Sequence, residues 1–170
     1  VSADGPEAPE RVQLNKALIA FLTHTGYTHG GNGYEGIAFL NEQFAESGLT
    51  DPADPQHGID LQAMATRTVE KYALYKAERK TAGSAGIAKL PGVNHPVFRD
   101  KAVNVDPREL FIRELCERRG EYNVFHAFYL ALVQALFDAG MSRNIYCVNV
   151  DAVIAALLLK MLWQPIRRGE

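Results

Sequence analysis

Residues 106 to 140 carry two helices together with their punctuation, and this constrains the fold more than any other stretch. Asp106-Pro107-Arg108-Glu109 is a compact helix start: Asp caps, Pro fits the first turn, and Glu at the third position can complete a capping box. Leu110, Phe111, Ile112 and Leu115 carry that helix to about Arg119, where Gly120 stops it. Val124 to Ala139 is a second, strongly apolar helix ended by Gly140.

The same pattern extends outward in both directions. Val12 to Leu22, Tyr34 to Glu46 (ended by Ser47-Gly48) and Ile59 to Lys80 all place apolar residues at helical spacing. The last helix, from about Ala152, is apolar almost all round and is expected in the core or at an interface. Thr50 to Gly58, with two prolines, reads as a loop. Ile145 to Val150 is a short β-like run, too isolated to imply a sheet. The expectation is an all-α domain of six or seven helices.

Composition closes off several classes. A hydrophobic content of 47% with 22% charged residues and a net charge of −2 describes an ordinary globular chain with no electrostatic case for nucleic acid or an acidic membrane. The longest apolar run, Ala152 to Trp163, contains Lys160 and is too short to span a bilayer. Two distant cysteines, Cys116 and Cys147, form no metal-type spacing and suit a reducing, cytoplasmic compartment, with Cys147 read as a buried thiol. The segment 1–10 reads as a flexible lead, 11–163 as one helical domain, and 164–170 as a tail cut from something longer.

Three polar islands interrupt the apolar pattern. His29-Gly30-Gly31 is a glycine-rich turn that lets a ligand approach the backbone; it is neither GxGxxG nor a Walker loop. His24 lies close by, and a His24–His29 metal pair lacks a third ligand at a customary spacing. Gly92-Val93-Asn94-His95 sets a histidine beside glycine and proline, with Arg99 four residues on. Histidine suits proton donation, and the arginine fork suits a carboxylate. Asn149-Val150-Asp151 leads into the last helix, and Asp151 reads equally as that helix's cap or as an enclosed base.

In this order the islands resemble the citrate synthase superfamily. Its pattern includes a His-Gly-Gly turn, a Gly-x-x-His loop with an arginine and then Asp-Pro-Arg, and an Asn-Val-Asp before an apolar helix. Asn149 through Ala155 looks more like the lyase branch, citryl-CoA lyase and the C-terminal part of ATP-citrate lyase. The resemblance implies a multi-helical citrate synthase-like fold, mainly its small, CoA-binding domain, with residues 50–88 an insertion or divergent segment.

It also implies roles. Asp151 takes a proton from acetyl-CoA, His29 (or His24 in a competing register) polarises the thioester, and His95 donates to the keto oxygen of an oxo acid. Arg99 and Asn149 bind substrate, and Gly30, Gly31 and Gly92 let coenzyme A lie against backbone. A lyase runs the same steps in reverse, no metal is required, and a homo-oligomer is implied. Two rivals remain: a non-catalytic CoA-binding or assembly module, and a helical oligomerisation domain.

Overall fold

The computed structural model describes residues 16, 19, 32–83, 86 and 88–170. The 1–10 lead, the His24/His29 turn and most of the Val12 to Leu22 helix lie outside the described residues; Lys16 and Ile19 are helical and exposed. The chain divides into two units, Val1–Asn32 and Gly33–Glu170. The buried core and the loop that carries His95 belong to the second.

Five helices are present among the described residues: α1 (Asn32–Phe44), α2 (Leu61–Thr81), α3 (Pro107–Arg118), α4 (Val124–Asp138) and α5 (Val150–Arg168). Side chains that take up orphan amides fix the later starts. Asp60 caps α2 by accepting from Ala63 N, Asp106 caps α3 through Arg108 N, and Asn123 caps α4 through Phe125 N and His126 N.

Two local expectations change. The capping box at α3 is not built, because the buried Glu109 carboxylate turns instead to Arg113 Nε and His126 Nε2, both at 2.9 Å. The last helix begins two residues earlier than expected. Asn149 caps it through Ala152 N at 3.0 Å, which places Asp151 in the first turn instead of at the cap. It then continues through residue 168, past the point where a tail was expected.

The core lies where α2, α4 and α5 meet. Phe44 from α1 meets Phe125 and Phe128 of α4 edge-on, with centroids 5.0 and 5.5 Å apart, and Phe125 packs on Trp163 of α5. These aromatic rings are all but fully buried. The Trp163 indole N–H donates to Leu49 O at 3.0 Å, so its one polar atom is satisfied inside the core. Helix α5 is not enclosed all round. Ala152, Val153, Ala155, Ala156, Leu159 and Trp163 are buried, whereas Ile154, Leu158, Met161 and Leu162 face outward.

The run 145–149 forms no named strand, but it does have partners. Val148 bridges antiparallel to Val93 and Ile145 bridges parallel to Val103. It therefore receives both legs of the long loop between α2 and α3, and this arrangement positions the site.

Candidate active site

The first leg of the loop is pinned by three hydrogen bonds. Asn94 N donates to Cys147 O at 2.8 Å, Asn149 N donates to Gly92 O at 3.0 Å, and Asn149 Nδ2 donates to Asn94 O at 3.2 Å. The second leg exchanges Asn104 N to Ile145 O and Ile145 N to Ala102 O, both at 3.0 Å, and Asn104 Nδ2 reinforces the first of these.

Gly92 cannot carry a side chain. Its φ is +77°, and a Cβ there would sit 2.5 Å from Ala152 Cβ and 3.0 Å from the Tyr129 ring. The close approach at Gly92 is thus to the first turn of α5, a packing role where the sequence suggested a bed for coenzyme A.

Asn94 sits at φ +68°, a conformation asparagine tolerates better than most residues, and its side chain accepts from His95 N at 2.9 Å. His95 follows. Its Nδ1 accepts from Val97 N at 3.2 Å, so the neutral ring carries its proton on Nε2. The imidazole stacks on Phe98, with centroids 4.7 Å apart and planes at 28°.

Beneath this loop lies Asp106, whose side chain is completely buried. Its Oδ1 accepts from Arg108 N and Nε; its Oδ2 accepts from Arg108 Nη2 at 2.7 Å and from Val150 N at 3.2 Å. One carboxylate therefore caps α3, orients Arg108 and ties down the N-terminus of α5. Burial alone would push this carboxyl up. The hydrogen bonds and charge of Arg108, with the Val150 amide, more than reverse that and hold it below the usual carboxylate range. The same hydrogen bonds hold the Arg108 guanidinium above its ordinary value, helped by the charges of Asp106 and Asp151 and opposed by burial.

The two arginines stand in contrast. Arg99, expected to hold a substrate carboxylate, is 60% exposed and pairs loosely at 3.6 Å with the still more exposed Asp100. Arg108 is held from two of its side-chain nitrogens, lies 5.4 Å over the Phe98 ring, and feels the half-buried Asp151. Arg108 is the residue that sequence reasoning passed over. It was visible in Asp106-Pro107-Arg108, as part of a helix start and of the resemblance's Asp-Pro-Arg, but was given no role.

Of the expected site residues, Gly92, His95, Asn149 and Asp151 are brought to one end of α3 and α5, and Arg99 stays in solvent. His29, Gly30 and Gly31 lie outside the described residues. Cys147, 2% exposed, has its thiol pushed up to about 11, chiefly by burial and then by Asp106 and Glu109. It stays protonated and lies 3.7 Å from Phe98 O as a donor.

No family model matches the chain, and no curated protein does. A solved structure, citryl-CoA lyase from Hydrogenobacter thermophilus, superposes with a TM-score of 0.52 at 17% identity, over 88% of this chain and 46% of that one. The chain is an all-α protein with the citrate synthase-like fold. It spans about half the length of the lyase structure it matches.

Proposed function

We propose that this chain carries an acyl-CoA-dependent carbon–carbon lyase or condensing site, cleaving a citryl-CoA-type thioester or forming it. The observation that carries the reading is the buried Asp106 carboxylate. By binding Arg108 and the Val150 amide together, it holds a guanidinium at the start of α5, where the charge of Asp151 acts on it.

The residues then divide the work. In the condensing direction Asp151 takes a proton from the methyl carbon of the acetyl thioester, and the resulting enol carbon attacks the keto carbon of an oxo acid. His95 gives its Nε2 proton to the keto oxygen as that oxygen becomes a hydroxyl. Arg108 holds an acceptor carboxylate in place of Arg99, since Nη1 makes no hydrogen bond among the described residues and the rest of the fork is already fixed. The role of polarising the thioester oxygen, which the resemblance gives to His29, falls outside the described residues. In cleavage, His95 recovers the hydroxyl proton, the carbon–carbon bond breaks, and Asp151 returns a proton to the enol carbon. Homo-oligomerisation and a cytoplasmic setting belong to the same reading. Among the described residues no helix is long and apolar enough to cross a membrane.

The test is turnover of citryl-CoA, or of acetyl-CoA with oxaloacetate, by the protein. Asp151→Asn and His95→Gln should each lower kcat by about a thousandfold or more, with melting temperature unchanged. Full activity in both variants would overturn the assignment.

A further inference from the structure

We propose that Phe98 is a positioning residue: its ring supports both the His95 imidazole and the Arg108 guanidinium, and so fixes the spacing between proton donor and carboxylate clamp. This rests on the lyase or condensing site proposed for the chain.

The loop around Phe98 has no regular structure to hold these groups in place. Val97 is 73% exposed and Arg99 extends into solvent, whereas Phe98 between them turns inward and is half-buried. It is pinned from two sides. Its carbonyl accepts from the buried Cys147 thiol on the run 145–149, and its ring carries His95 at 4.7 Å and Arg108 at 5.4 Å.

These contacts complement others already in place. The Val97 amide fixes one edge of the imidazole, leaving the tilt of its face to Phe98. Asp106 binds Arg108 through Nε and Nη2, one to each carboxylate oxygen, and the π face of Phe98 lies against the same guanidinium and attracts the cation, so carboxylate and ring hold it together. No other described residue touches both groups through one ring. An aliphatic side chain of similar size would fill the space without a π face for either partner.

The test uses the full chain, with histidine ring proton resonances and steady-state kinetics read on the wild type, Phe98→Leu and Phe98→Tyr. His95→Gln assigns the His95 signals among the five histidines. In the wild type those signals lie upfield, shifted by the Phe98 ring current. In Phe98→Leu they move downfield, and in Phe98→Tyr they stay. With substrates, Phe98→Leu lowers kcat about a hundredfold and raises KM for the oxo acid, while Phe98→Tyr recovers most of both.

His95 signals that do not move in Phe98→Leu overturn the proposal, as does an unchanged kcat and KM in that variant. If the signals move but the wild type turns over neither substrate pair, the support of His95 by Phe98 stands and the proposed function falls.

Discussion

The helical core and the His95 loop are built on opposite plans. In the core, Phe44, Phe125, Phe128, Leu132, Leu159 and Trp163 are nearly inaccessible and held by many small contacts, so no single hydrogen bond decides their placement. In the loop between α2 and α3, and at the helix starts it meets, placement is decided by a few directed polar bonds: Asn94 by Cys147 O and Asn149 Nδ2, Arg108 by Asp106, the α5 terminus by Asp106 and Asn149. The core loses stability gradually as packing is trimmed. The loop is either attached at a given point or it is not. A site built this way is accurate because each bond has a direction, and vulnerable because each anchor rests on only a few such bonds.

Phe128→Ala tests the first half of that contrast at its strongest. Removing a fully buried ring that packs on Phe44 should cost about 4 kcal/mol by urea denaturation. Asp106→Asn tests the second half. It should cost about 2 kcal/mol, reduced from the value for a fully buried pair because Arg108 is half-exposed, while removing most activity.

The pH dependence of that variant has a definite sign. A carboxyl held low in the folded state adds stability above its unfolded value, near 4, that is lost as pH falls through the lower folded value. Wild type should therefore lose stability across that acid window, and Asp106→Asn should show a flatter slope there. The smallest effect belongs to Tyr129→Phe. The buried Tyr129 hydroxyl has no hydrogen-bond partner among the described residues, so its removal should leave the melting temperature level or raise it, by at most about 1 kcal/mol of stability. A clear loss would mean that the hydroxyl has a partner in solution, and that the core also depends on single bonds.

Legibility in the sequence divides along the same line. Helix ends announced themselves locally: Asp106-Pro107, Gly120 and Gly140 lie within a few residues of the turns they control. The start of α5 was harder, because Asn149 and Asp151 are both good caps two residues apart. The choice went to Asn149, whose side chain caps Ala152 and also reaches Asn94.

Glu109 left the expected capping box for His126 on another helix, and the run 145–149 looked isolated because its partners are distant in sequence. Nearness along the chain drew attention to Arg99, which lies in solvent, whereas Arg108 is the arginine that Asp106 holds. Periodicity alone could not show that only one face of α5 would be covered. The resemblance located the polar islands, yet not which atoms in them would do the holding.

The attachment of Asn149 to Asn94 joins residues 55 apart, and that of Asn104 to Ile145 joins residues 41 apart. Closing spans of that length costs chain entropy, and two bridges return little of it. They become favourable only once the packing of the helices has drawn the ends together, so the loop is a late event in folding and an early one in unfolding. A chain stopped just short of completion would have its full helical content and no site.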